Sequence, residues 1–175
     1  MNIYQIQVDD EADYLAAYHP DTYGTEIIFP SGNKYIYAYT ALTTLVKGGC
    51  CAINQDTGDA AGQNPRATVP ATSSIYHLFG ISAETVTAAG GIWVQTKGRC
   101  TYARVDGATD VAINDPLKPV NAKQYLAQDH ADTPTASFMA VAEEAEADAI
   151  AAQTDITNGD ADKTIYLPER WATVA

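Results

Sequence analysis

Residues 89–105, AGGIWVQTKGRCTYARV, constrain the fold of this chain more than any other stretch. Ile92, Val94 and Thr96 alternate with Trp93, Gln95 and Lys97, the two-residue period of a strand with two different faces. Gly98 interrupts the run, and Cys100, Tyr102 and Arg104 then alternate with Thr101, Ala103 and Val105. A glycine inside a strand pattern marks a bulge, a bend or a close backbone approach. The spacing predicts two β segments meeting at a kink on Lys97, Gly98 and Arg99.

Other segments repeat the β signal. Lys34 to Tyr39 alternates aromatic and smaller residues after the turn signal Ser31-Gly32-Asn33. Ile3 to Val8, Glu26 to Phe29, Ile75 to Ile81, Val111 to Ile113 and Lys163 to Leu167 read as further short strands. Thr40 to Ile53 is apolar and rich in β-branched residues. Residues 56–70 and 117–136 carry Pro, Gly and polar residues without a period and read as loops. The Ala- and Glu-rich stretch 137–153 favours a helix by propensity, while its first half alternates like a strand. Lys47-Gly48-Gly49-Cys50 echoes Lys97-Gly98-Arg99-Cys100, which leaves open a duplication with two equivalent kinked strands. Many short strands joined by Gly-rich turns predict a mainly β fold with few or no helices. The expected form is an antiparallel β-barrel or sandwich with extended N- and C-terminal arms. The expected division is a Tyr-rich acidic arm over 1–25, a β-domain over 26–168 and a tail over 169–175.

Charge narrows the function. Ten Lys and Arg face 22 Asp and Glu, a net charge of −12 over 175 residues, with a pI near 4.3. Nucleic-acid binding depends on neutralising phosphates with Lys and Arg, so a direct nucleic-acid role is not expected. An acidic surface suits docking on basic patches of another protein. Cys50, Cys51 and Cys100 are an odd set with two adjacent members, which is no disulfide framework. They are expected to be buried free thiols in a chain matured in a reducing cytosol. No apolar run reaches the ~20 residues that span a bilayer, and the N-terminus lacks a signal-peptide pattern.

The residues propose no catalytic, cofactor or metal site. His19, His77 and His130 are scattered, and adjacent strand cysteines point to opposite faces. There is no G-x-S-x-G, P-loop or G-x-G-x-x-G pattern. Asp155, Asp160 and Asp162 surround Gly159 at the wrong spacing for a calcium loop. The candidate binding residues are tyrosines and a tryptophan near the termini: Tyr4, Tyr14, Tyr18, Tyr23 and Trp171. Such amphipathic rings are common at protein interfaces. An arm that packs on its own domain explains them equally well.

The run GIWVQTKGRCTYARV, followed by a turn and INDPLK, resembles the tailed-phage capsid decoration, or cement, proteins, a family of small β-barrels. The likeness extends to a Gly-x-Trp-Val-x-x-x-Gly strand over 91–98, an Asn-Asp-Pro-Leu turn over 114–117, the segment FMAVAEEAEADA and a closing strand KTIYL. YIYAYTALTTLVKGGCCAI is similar to the opening strands of that family. The resemblance implies a strand at Phe138 to Glu144. It also implies a virion structural protein, made in the host cytoplasm, that binds the capsid exterior and cements neighbouring capsomers. Its partners would be the major capsid protein and other copies of itself. It would not be an enzyme, and the resemblance carries no catalytic residue, membrane contact or cofactor. The Tyr-rich arm over 1–23 and the terminal WATVA depart from the family pattern. Removing residues 1–23 is expected to weaken capsid binding while leaving the β-domain folded. Two other functions fit the residues: a carbohydrate-binding β-domain stacking sugars on Trp93 or Trp171, and a small hydrolase.

Overall fold

A computed structural model describes residues 3–5, 10–42, 45–54, 64–71, 78–106, 110–129, 139–145 and 160–168, with backbone alone for 3–5 and 160–162. The chain is mainly β, with one short helix and a closed five-stranded barrel plus further strands. In chain order the elements are β1 (Ile3–Gln5), α1 (Glu11–Ala17), β2 (Glu26–Ile28), β3 (Lys34–Thr40), β4 (Cys50–Asn54) and β5 (Arg66–Thr68). They continue as β6 (Leu78–Ser82), β7 (Gly90–Val105), β8 (Pro116–Pro119), β9 (Leu126–Gln128), β10 (Ala140–Ala142) and β11 (Asp160–Leu167).

The long strand β7 is the axle. Its first half pairs antiparallel with β3 from Lys97 opposite Lys34 to Gly90 opposite Thr40, and also with β6. Hydrogen bonding runs β3-β5-β4-β6-β7 and closes on the β3–β7 ladder. From β7 the sheet continues through β11, β10, β8 and β9, and β9 returns to β7 at Val105 opposite Leu126. The barrel contrasts with the open alternative, a sandwich. Closure spends backbone donors and acceptors that an edge strand would leave unpaired.

Alternation along the strands sorts side chains into three apolar clusters. Ile36 and Ala38 of β3, Cys51 and Ile53 of β4, and Ile92 and Val94 of β7 fill one cluster. The residues between them on β3 and β7, Tyr35, Tyr37 and Trp93, face outward into an aromatic layer with Leu15, Ile27 and Phe29. The third cluster gathers Cys50, Ile81, Cys100, Ala103, Val105, Leu117, Leu126, Ala140, Ala142, Ile165 and Leu167. Burying each such Leu, Ile or Val side chain is worth roughly 1.5–3 kcal/mol against leaving it in water.

Irregularities shape β7, beginning with a register shift between Lys34 and Tyr35 on its ladder with β3. Gly98 sits at φ +95°, and a Cβ there would lie 2.9 Å from Asn33 Cα, so only glycine fits both the backbone and the space. Further on, Cys100 opposes Ile165 and Ala103 opposes Lys163, so two residues of β7 face Thr164 alone. That bulge turns Ala103 and Val105 into the cluster that Cys100 already occupies.

Several expectations change. The two segments expected on either side of Gly98 are one continuous strand. Within the expected Tyr-rich arm over 1–25, Glu11–Ala17 form α1, capped by Asp10, whose carboxylate accepts from Ala12 N–H and Asp13 N–H. Residues 117–136, read as loop, contain β9 and most of β8, which pair as a hairpin, while 130–136 lie outside the described residues. Their strands are three and four residues long, too short to show a period, and Pro116 and Pro119 disguise one of them. The surface loop expected over 56–70 contains β5, while 55–63 lie outside the described residues. Val111 forms a single bridge in place of a strand over Val111 to Ile113. Gly48, at φ +80°, has a positive φ like Gly98 but stands in a turn, so the two echoes are not equivalent kinked strands. Of the strand implied at Phe138 to Glu144, Ala140–Ala142 form β10, Glu143 and Glu144 lie beyond it, and Phe138 lies outside the described residues. Residues 146–153, the remainder of the ambiguous helix, lie outside the described residues.

Candidate functional site

The tyrosines singled out near the N-terminus lie against the barrel. Leu15 of α1 is 4% exposed in the aromatic layer. Tyr14 meets Phe29 edge-on, with ring centroids 5.7 Å apart. Tyr23 stacks on Tyr37 at 5.5 Å, and Tyr18 lies over Trp93 at 6.5 Å. Trp93 is wholly buried, and its indole N–H donates to the Tyr18 carbonyl at 2.8 Å. A carboxylate fastens α1 as well: Glu11 accepts from the Ser31 hydroxyl, from Asn33 Nδ2 at 2.9 Å and from the Tyr35 hydroxyl at 3.3 Å. Tyr14 and Tyr23 are half-buried, and Tyr18 keeps 38% of its surface exposed. Residues 10–25 therefore belong to the packed domain. Their removal would strip Leu15 from the aromatic layer, which counts against the expectation that residues 1–23 are dispensable for folding. Tyr4 lies in β1, whose backbone pairs parallel with β2 opposite Ile27; its side chain and Trp171 lie outside the described residues. Because Trp93 is buried in the core, it offers no stacking face to a sugar.

Beneath this layer lies a polar knot that sequence reasoning passed over. Gln95 is fully buried on β7. Its Oε1 accepts from the Tyr102 hydroxyl at 2.9 Å and from the Tyr35 hydroxyl at 3.4 Å. Its Nε2 donates to the carbonyls of Arg99 at 3.0 Å and Lys97 at 3.3 Å. One amide thus ties together the two carbonyls that flank Gly98 and holds the kink. Burial pushes the Tyr35 and Tyr102 hydroxyls well above the usual phenol range. Burial likewise raises Cys50 and pushes Cys51 and Cys100 up to about 12. These thiols are protonated at neutral pH and make poor nucleophiles.

On the outside of the kink is a cleft of about 300 Å³ whose walls include Lys34, Lys97, Arg99, Ser31, Ile28 and Tyr166. Three of the ten cations of an acidic chain meet there. Lys34 Nζ lies 3.1 Å from Glu26 Oε1, and Arg99 Nε lies 2.7 Å from Glu143 Oε2. The Arg99 side chain is 66% exposed, and Tyr166 is 42% exposed. None of these residues was proposed from sequence. The available signal was the scarcity of cations combined with two of them flanking a mid-strand glycine.

No protein-family model and no curated protein sequence matches this chain. Among the described residues, no three His, Cys, Asp or Glu side chains converge as metal ligands. No described helix is long and apolar enough to cross a membrane.

Proposed function

We propose that this protein is a structural component of a tailed-phage virion that binds the outside of the capsid and holds neighbouring capsomers together. The observation that carries the reading is the closed β-barrel built around the strand at Gly90–Val105, the fold that the resemblance in that strand implies. The other stretches of the resemblance support it by their neighbourhood. The turn over 114–117 leads into β8, β8 pairs with β10, β10 with β11, and β11 with β7. The interior chemistry is consistent with a binding role. The hydroxyls and amide around Gln95 are spent on one another, and the described thiols are buried and protonated. What such a molecule offers a partner is surface. Many weak copies on a symmetric shell gain strength from valency, so modest contacts per copy suffice.

Quantitative mass spectrometry of purified virions tests the reading. A cement protein is expected at hundreds of copies per particle, on the order of the capsid protein itself. A handful of copies would point to a tail or fibre part, and its absence from the particle would remove the virion reading.

A further inference from the structure

The strand β11 carries the chain to the cleft at the Gly98 bend. Tyr166 stands opposite Arg99 and Leu167 opposite Gly98, and Tyr166 forms part of the cleft wall. The strand ends at Leu167, and Pro168 behind it has no N–H to give a ladder. Residues 169–175, Glu-Arg-Trp-Ala-Thr-Val-Ala, continue from that point and lie outside the described residues. Trp171 is four residues beyond Leu167, a reach of at most about 14 Å of extended chain. It is the largest apolar side chain of this segment, and Ala172 and Val174 add apolar surface beside it.

The cleft suits a flat apolar ring. Gly32 and Gly98 line it without side chains, and a Cβ built on Gly32 would meet nothing within 4 Å. Ile28 is half-buried there, and Tyr166 is exposed. Lys34 is paired with Glu26 and Arg99 with Glu143. These pairs satisfy the charges and hold the two side chains in place along the walls, so the cleft needs no acidic ligand. Arg99 reaches Glu143 through Nε, at the edge of its guanidinium. A guanidinium bonded along its edge still has a planar face on which an aromatic ring stacks.

The bend is also where β7 changes partners. β3 pairs with it up to Lys97, and β11 pairs with it from Gly98 onward. The cleft draws its walls from both sides of that change, with Lys34 from β3 and Tyr166 from β11.

We infer that this cleft is the docking site of the chain's own segment 169–175, with the Trp171 indole set between Ile28 and Tyr166 and against the guanidinium plane of Arg99. The course of the chain selects this occupant over another molecule. β11 delivers the segment to the rim, and so short a tether holds Trp171 at an effective concentration on the order of millimolar. Docking takes a large amphipathic ring out of water and latches the end of β11 to β2 and β3 across the change of partners. The inference concerns the chain's own packing and stands independently of the virion reading.

The test is NMR of the isotope-labelled full chain. Nuclear Overhauser contacts are expected from the Trp171 indole to the Ile28 methyls and the Tyr166 ring, unchanged by tenfold dilution. Trp171→Ala is expected to shift the backbone amides of Gly32, Gly98 and Tyr166 and to leave the amides of the barrel interior in place. Tyr166→Ser, which keeps the segment intact, is expected to raise acrylamide quenching of tryptophan fluorescence at least twofold, over a constant background from buried Trp93. An indole without contacts to Ile28 or Tyr166, or one that contacts Val141 and Pro116 instead, would overturn the assignment. Contacts that fade on dilution would give the cleft to a neighbouring copy's segment and overturn it as well. So would Trp171→Ala leaving those three amides unmoved, or quenching that Tyr166→Ser does not change.

Discussion

Gln95→Leu is the sharpest probe of how this barrel is held. Leucine nearly matches glutamine in volume, so the substitution removes the amide without opening a large cavity. Two hydrogen bonds of good length disappear with it, Tyr102 hydroxyl to Oε1 and Nε2 to the Arg99 carbonyl, along with longer ones to the Lys97 carbonyl and from the Tyr35 hydroxyl. A net loss of about 1 kcal/mol per bond, offset in part by the added apolar surface, gives a destabilisation of about 2–3 kcal/mol. For a chain of this size that lowers the melting temperature by roughly 5–10 °C. Urea unfolding followed by far-ultraviolet circular dichroism measures the free energy, with an unchanged m-value as the check on two-state behaviour. Tyr102→Phe removes only the hydroxyl and is expected to cost about 1 kcal/mol. The double variant should fall short of the sum of the singles by a similar amount, because both remove the same bond. A Gln95→Leu loss below about 0.5 kcal/mol, the range of an ordinary surface change, would refute the view that this amide secures the kink.

Three further outcomes follow from the packing. Leu15→Ala is expected to cost about 2–3 kcal/mol in the same assay, because the residue is buried in the aromatic layer; a cost near zero would mean that α1 is a dispensable arm. Gly98→Ala is expected to cost more than 2 kcal/mol, since it combines a positive φ with a clash against Asn33; wild-type stability would exclude the kinked geometry. Alkaline pH should destabilise the protein through its buried thiols. Cys51 and Cys100 ionise near 9 when exposed but only near 12 when buried. The folded state therefore binds more protons in that window, and stability falls as pH rises through it. Each thiol contributes a slope of about 1.4 kcal/mol per pH unit. A melting temperature that stays level from pH 9 to 11 would contradict burial of these thiols in the neutral form.

Local alternation alone establishes a β protein and picks out the strand that matters. Period-two alternation at Ile92, Trp93 and Val94, and at Tyr35, Ile36 and Tyr37, is a local property of the chain. It survives folding because the two faces meet different clusters. The glycine at 98 announced an irregularity, and its positive φ is one that glycine adopts freely. The rest came from long-range pairing. Three- and four-residue strands such as β8 and β9 carry no readable period and exist because β10 and β7 offer them partners. The bulge opposite Thr164 changed which residues after Cys100 face inward, and nothing local to Thr101 and Tyr102 signals it. Tyr14, Tyr18 and Tyr23 look alike as free hands or as packing, and the rings of Phe29, Trp93 and Tyr37 settled the matter by packing against them. The candidate site arose the same way. Lys34, Arg99 and Tyr166 are far apart along the chain and meet because two ladders bring their strands to the same bend of β7. Long-range pairing is set by which strands can close the barrel, and no short window of sequence contains that information.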